Sequence, residues 1–230
     1  MTLFQLKKFS LLQSNEVFKI TTDSILLGCW CDVKNKTSSL DVGCGTGILS
    51  LLLAQRGLKQ LSAIDINKEA IMLAQHNFKH SNLNVNFKVE VIEVAKYKGE
   101  LVDLIICNPP YFINSKKNET KNKTLARHQI EFSFKVLFST SKALLKNNGL
   151  LAICVPFNLL KNTVIEAAAF GLFVKRQLHI KHLKNSNYSI ALIEFTKELC
   201  NPEKSELVLF EENGLDRTDG FQNLIDDFLK

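Results

Sequence analysis

Two signatures of an exported or membrane-bound protein are missing from this sequence. No uncharged apolar run approaches the ~18–20 residues that a membrane span requires. Residues Met1 to Gln13 carry Lys7 and Lys8 but no apolar h-region with a small-residue cleavage site, so a cytoplasmic protein is expected. There is no Cys-x-x-Cys pair either. The six cysteines (Cys29, Cys31, Cys44, Cys107, Cys154, Cys200) mostly sit in apolar runs and read as reduced core residues. Their spacing does not suit zinc, and no metal is expected. Repeats and long linkers are absent, so one α/β domain over residues 1–230 is expected.

What is present supports a packed core. The chain is 46% hydrophobic and holds sixteen Phe, which excludes wholesale disorder. The net charge of +6 is uneven. Residues 1–197 hold 26 basic and 14 acidic side chains, whereas residues 198–230 hold 3 and 9. A basic body with an acidic end suits a polyanionic partner on the body; a solvated surface with an acidic tail is the plainer alternative.

Hydrophobic periodicity alternates between the two secondary-structure types. Strands are predicted at Ser38 to Val42, Leu61 to Asp65, Val85 to Val89, Leu101 to Cys107 and Leu150 to Val155. Helices are predicted at Ile48 to Arg56, Lys68 to Lys79, residues 127–147 (ended by Asn147, Asn148 and Gly149) and residues 158–170. This order predicts a mostly parallel sheet with helices on both faces. Leu172 to His182 and Ser189 to Thr196 read as an antiparallel pair that closes it. The tail, with Leu207 to Phe210 and an amphipathic Phe221 to Leu229, is expected to fold back on the body. Residues 1–37 are then an entry segment, 38–197 the core and 198–230 an acidic extension packed on it.

The loop after the first core strand reads Asp41-Val42-Gly43-Cys44-Gly45-Thr46-Gly47. Its G-x-G-x-G spacing is not that of a dinucleotide fold, and no G-K-[ST] follows. It closely resembles D-x-G-x-G-x-G, the first motif of class I S-adenosylmethionine-dependent methyltransferases. That resemblance implies a Rossmann-like, seven-stranded fold. It also implies S-adenosylmethionine as cofactor, with Asp41 toward its amino group and Gly43, Gly45 and Gly47 along its methionine part. Asp65, 18 residues after Gly47, ends the next strand and suits the ribose hydroxyls. The plainer role there is a helix N-cap by Asp65 or Asn67. Val91 stands where an adenine-contacting Asp is common, with Glu90 and Glu93 as neighbouring acids.

The fourth core strand runs into Asn108-Pro109-Pro110-Tyr111. Two prolines in series have no N–H, so this turn cannot join a sheet ladder. It leaves carbonyls to accept from an –NH₂ group, with the Asn108 side chain as a further acceptor and Tyr111 as a stacking face. Such a site orients a nitrogen lone pair toward a methyl donor without a strong base. The tetrapeptide is similar to those of amino-methyltransferases acting on adenine N6, guanine N2 or a release-factor glutamine. A strand-ending turn is the plainer reading.

A wider resemblance narrows the substrate. Lys8-Phe9, Gln13 and the run Phe18 to Trp30 look like the entry segment of bacterial tRNA-valine adenine-N6 methyltransferases. The likeness continues through the glycine loop, Asn108 to Phe112, Ala126-Arg127-His128 and the tail. It implies methylation of adenosine 37, with Thr22 and Asp23 beside the cofactor or the target base. Helix capping is their plainer role. It also implies the tRNA anticodon arm as partner and S-adenosylhomocysteine as product; a monomer without membrane contact is expected. Lys116, Lys117, Lys121 and Lys123 beyond Tyr111, with Arg127, are candidate phosphate contacts. Lys175, Arg176, Lys181 and Lys184, with His179 and His182, form a second basic group. Competing readings are a ribosomal RNA or DNA amino-methyltransferase, a release-factor glutamine methyltransferase, or a non-catalytic RNA-binding relic. The roughly 37 residues before the first core strand are short for the helical domain of the release-factor enzymes.

Replacing Lys116, Lys117, Lys121 and Lys123 together with Ser should weaken RNA binding and flatten its salt dependence. An unchanged slope of log affinity against log salt would return these lysines to the solvated surface.

Overall fold

The computed structural model describes residues 1–109 and 133–229. Its elements in chain order are β1 (Thr2–Gln5), β2 (Ser10–Gln13), α1 (Thr22–Trp30), β3 (Ser38–Val42), α2 (Ile48–Gln55), β4 (Gln60–Asp65) and α3 (Lys68–His80). There follow β5 (Asn86–Val91), β6 (Val102–Cys107), α4 (Phe134–Leu144), β7 (Leu145–Pro156) and α5 (Leu160–Ala169). The chain ends with β8 (Phe173–Lys181), β9 (Tyr188–Thr196), β10 (Glu203–Val208) and α6 (Asp219–Ile225). The main sheet has the order β10-β8-β9-β7-β6-β3-β4-β5. Every pairing in it is parallel except those of β9 with β7 and β8. Among the described helices, none is long and apolar enough to cross a membrane.

The central strands are apolar on both faces because both faces are covered. All five residues of β3 are buried. Alternate residues of β7 serve opposite layers. Leu150, Ala152 and Cys154 join the core shared with α1, α2 and the tail. Leu151, Ile153 and Val155 join the core under α4 and α5. Helices α1 and α2 approach so closely that a Cβ on Gly28 would lie 2.5 Å from Leu52 Cδ1. From β3 the chain builds outward through β4 and β5, then returns to lay β6 and β7 on the other side. The strand order therefore reverses between β3 and β6, the place where open α/β sheets bind ligands beyond their carboxyl ends.

The seven expected strands are all present, and two features go beyond them. The antiparallel hairpin β1–β2 forms a separate sheet. The acidic tail adds an eighth strand, β10, parallel to β8, with Glu203 opposite Arg176 and Glu206 opposite His179. Beyond it, Phe221, Ile225 and Phe228 are buried in the core with α1 and α2.

The helix expected over residues 127–147 ends earlier. Residues 127–132 lie outside the described range, α4 stops at Leu144, and Asn147, Asn148 and Gly149 fall within β7. The pairing of β6 with β7 explains this: it jumps from Val102–Leu145 to Leu104–Leu150, so residues 146–149 bulge from the ladder. The bulge brings Lys146 Nζ to 2.8 Å from Asp103. Asp103 also accepts from the amides and hydroxyls of Thr37 and Ser38 at 2.9–3.0 Å, which ties the start of β3 to β6. Partial burial works against the ionised carboxyl, but Lys146 and these donors outweigh it and hold Asp103 well below the usual carboxylate range.

An acid held low in the folded state adds stability that is complete above its unfolded pKa of 3.8 and is lost as pH falls below that. Asp103→Asn should cost about 1–3 kcal/mol in urea unfolding at neutral pH and flatten the acid limb of stability. A wild-type acid limb in that variant would remove Asp103 from this role.

Candidate functional site

The glycine loop leaves β3 through backbone that side chains resist. Gly43, Gly45 and Gly47 have φ of 71°, 53° and 80°. Gly43 is exposed, and among the described residues beyond its chain neighbours no atom lies within 4 Å of a Cβ built on it. Gly47 starts α2 without a side-chain cap. The amides of Gly43 and Cys44 donate to the Ile64 carbonyl at 2.8 and 3.1 Å, which hinges the loop on β4.

Two carboxylates hold this loop from different sides. Asp41 is fully buried beneath it. Its Oδ2 accepts from the Ser50 amide at 3.1 Å and the Ser50 hydroxyl at 2.8 Å. Asp41 Oδ1 is buried without a hydrogen-bond partner among the described residues. Burial pushes the Asp41 carboxyl up to about 7 despite the two bonds from Ser50. Asp65 is half-buried and accepts from the Gly45 amide at 3.0 Å and the Asn67 amide at 2.9 Å. The helix-cap alternative resolves onto its neighbour, since Asn67 caps α3 by accepting from the Glu69 amide.

Register puts these groups beside the Asn-Pro turn. Val42 pairs with Ile64, so Gly43 is level with Asp65. Asp41 pairs with Ile106, so Asn108 is level with Gly43. Extending these registers places Asp65, Gly43 and Asn108 at three adjacent carboxyl ends of the sheet. Asn108 is half-buried and Pro109 buried. Pro110, Tyr111, Lys116, Lys117, Lys121, Lys123, Arg127 and His128 lie outside the described residues.

The entry segment packs against the same loop. Thr21, not Thr22 or Asp23, caps α1: its hydroxyl accepts from the Ser24 amide while the Ser24 hydroxyl accepts from the Thr21 amide. Thr22 is exposed and Asp23 half-buried in the first turn, where burial raises the Asp23 carboxyl above its ordinary value. Two residues that sequence reasoning passed over do the fastening. Buried Val17 sits 3.8 Å from the Cβ position of Gly45. Fully buried Asn77 exchanges hydrogen bonds with the Leu12 backbone at 2.8 and 3.1 Å and donates to the Thr46 carbonyl at 2.9 Å. Asn77 shows in the sequence as a polar residue on the apolar face of α3, between Ala74 and Phe78.

At the far end of the row, Val91 pairs with Asp65 and is 47% exposed, so it faces the surface rather than the core. Glu90 is exposed, and Glu93 pairs with Lys96 at 2.7 Å. The second basic group is partly internal. Arg176 pairs with fully buried Glu194, donates to the Trp30 carbonyl at 2.7 Å and lies 4.2 Å over the Trp30 ring. Lys181 Nζ is 3.9 Å from Glu206. Those two cations serve the fold, which leaves Lys175 and Lys184 as its exposed lysines. Among the described residues, no group of three or more His, Cys, Asp or Glu is placed to hold a metal ion.

Residues 19–178 match the methyltransferase small domain family. A protein of Parabacteroides distasonis named tRNA1(Val) (adenine(37)-N6)-methyltransferase is 34% identical over 90% of this chain and 89% of its own length. A protein of the same name from Trichodesmium erythraeum is 33% identical over 98% and 96%. Among solved structures, a predicted O-methyltransferase of Agrobacterium tumefaciens superposes with a TM-score of 0.67 over 90% of this chain and 96% of its own. At 17% identity, that last likeness concerns the fold.

The buried carboxyl carries a pH signature. In the unfolded chain Asp41 ionises near 3.8, whereas in the fold it keeps its proton to about 7. Between those values the folded state alone holds the proton, so stability declines as pH rises, by at most about 4 kcal/mol in total. Asp41→Asn should flatten the urea midpoint of the ligand-free protein across pH 4–7. An unchanged slope in that variant would show that another group sets it.

Proposed function

The chain belongs to the methyltransferase small domain family and, within it, to the tRNA1(Val) (adenine(37)-N6)-methyltransferases; from that premise we propose that it methylates N6 of adenosine 37 in the anticodon arm of valine tRNA. The observation that carries the chemistry is the row of Asp65, Gly43 and Asn108 across the switch point of the sheet. We take S-adenosylmethionine as the methyl donor and S-adenosylhomocysteine as the product.

The residues present fit that cofactor. A side chain at Gly43 would fill the open surface along which a methionine part would lie, and its φ of 71° disfavours one. The unpartnered Asp41 Oδ1 suits a nearby ammonium, although Asp41 is shielded beneath the loop. Asp65, at the rim of the loop, is assigned the ribose hydroxyls. Val91 gives the adenine end an apolar side chain in place of a carboxylate. Thr22 and Asp23 open α1 behind the entry segment and are assigned to the cofactor or base side of the cleft.

When bound, the cofactor supplies an electrophilic methyl group on a sulfonium. The chain's part is orientation. Asn108 accepts a hydrogen bond from the exocyclic amino group, and the carbonyls of the Asn108-Pro109-Pro110 turn complete the grip. Tyr111 stacks on the adenine. Held this way, the nitrogen lone pair would be turned toward the bound cofactor's methyl group, and no general base would be needed because the methylated amino group would lose its extra proton to water. The target base must leave its loop to enter, which costs little in single-stranded RNA. Lys116, Lys117, Lys121, Lys123 and Arg127 are assigned to phosphates beside it. In this reading residues 1–230 act as one domain, a cytoplasmic monomer whose reaction needs neither metal nor membrane.

Incubation with tRNA lacking the modification, followed by mass spectrometry of nucleosides, should show N6-methyladenosine 3′ of the valine anticodon. Asn108→Ala should lower kcat by at least about a hundredfold, the usual cost of one donor or acceptor aimed at a transition state. Cofactor affinity by calorimetry should change little. A methylated protein in place of tRNA, or wild-type turnover in Asn108→Ala, would overturn the assignment.

A further inference from the structure

A group of rings at the same sheet edge is left unused by the methyl-transfer site. Phe157 follows the carboxyl end of β7, Tyr188 opens β9, and His179 and Lys181 close β8. The Phe157 and Tyr188 rings are tilted 33° at 4.6 Å between centroids. The His179 ring meets them edge-on at 5.0 and 5.4 Å. Lys181 Nζ lies 4.5 Å over the Tyr188 ring. All four side chains are part-exposed. Glu206 of β10 holds the group from the edge: the Tyr188 hydroxyl donates to its carboxylate, and Lys181 lies 3.9 Å from it.

The position of this group relates it to Asn108. Cys107 pairs with Ile153, so Asn108 is level with Cys154, and Phe157 lies one strand over and three residues further on. Strand spacing and rise make that separation about 11 Å. A strand of RNA splayed out from a base held at Asn108 spans such a gap with about one or two nucleotides.

We propose that Phe157, His179 and Tyr188, with Lys181, form a stacking platform for a nucleotide that neighbours the methylated adenosine in the anticodon loop. This rests on the tRNA reading given above. The chemistry favours a base over a phosphate. Lys181 is paired with Glu206, so the group carries little net charge. Burial and nearby Lys204 lower the His179 pKa, which keeps its ring neutral at pH 7. What the group offers is π-surface, which any base accepts, with the cation over the ring adding to the attraction. Glu206 and its strand β10 flank the platform at the sheet edge.

The test is binding of a fluorescently labelled anticodon stem-loop to the full chain, read by anisotropy over a series of salt concentrations, because it does not require turnover. Phe157→Ala and Tyr188→Ala should each raise the RNA Kd at least about fivefold, the low end for one lost stacked base. The salt slope and S-adenosylmethionine affinity should stay at wild-type values in both variants, and so should the unfolding midpoint of Tyr188→Ala; Phe157 also packs against the core under α4 and α5, so the midpoint of Phe157→Ala should fall. Tyr188→Phe, which keeps the ring, should bind within about twofold of wild type. Wild-type RNA affinity in both alanine variants would overturn the platform. So would a loss matched by falls in unfolding midpoint and cofactor affinity, which marks a structural cluster. RNA binding that depends on the rings without any methyl transfer would sink the methylation reading while leaving the platform. No RNA binding by wild type would sink both.

Discussion

The chain leaves the doubly buried strand β3 through a left-handed glycine turn laid over a buried carboxylate, and the other groups at the carboxyl edge take their places from that exit. Asp41 cannot reach water, so it is matched by Ser50, and that pair fixes the first turn of α2 against the sheet. The turn leans on Ile64 of β4 and on the Asp65 carboxylate. The entry hairpin then attaches to the turn through Asn77 and Val17. A polar group buried inside a core is costly unless satisfied, so each of these contacts constrains the next. The result is a rim whose loop, helix start and entry segment are tied together by named contacts.

That network of contacts suits chemistry by orientation. Transfer of a methyl group between a sulfonium and an amine needs alignment more than proton movement. The chain accordingly places acceptors and an open glycine surface at the switch point. Asp41 Oδ1, buried without a hydrogen-bond partner among the described residues, is a local stability cost.

Charge has a different meaning in the fold than in the composition. The segment after residue 197 is more than a loose acidic tail: two of its acids, Glu203 and Glu206, stand on β10, which lies along the basic strand β8. Arg176 is spent on buried Glu194, and Lys181 on Glu206. A count of cations therefore overstates what this part of the body offers a polyanion. Aromatic rings rather than free cations mark the carboxyl end of β8 there.

Periodicity and loop chemistry were enough to read the alternating strands and helices, the mostly parallel sheet with its antiparallel closing pair, and the two motifs at the strand ends. Those are local: a buried strand must be apolar on both sides, and a left-handed turn selects glycine, whatever lies elsewhere. Family resemblance added the substrate class. Tertiary structure decided that α4 stops at Leu144, because only the pairing with β6 reveals the bulge that carries Lys146 to Asp103. It decided that Thr21 caps α1 and that Asn67 caps α3. It also decided the eighth strand, the burial of Asp41, the fastening role of Asn77 and the internal pairing of Arg176. Each of these depends on partners distant in the chain, and no local pattern encodes which distant groups a fold will bring together.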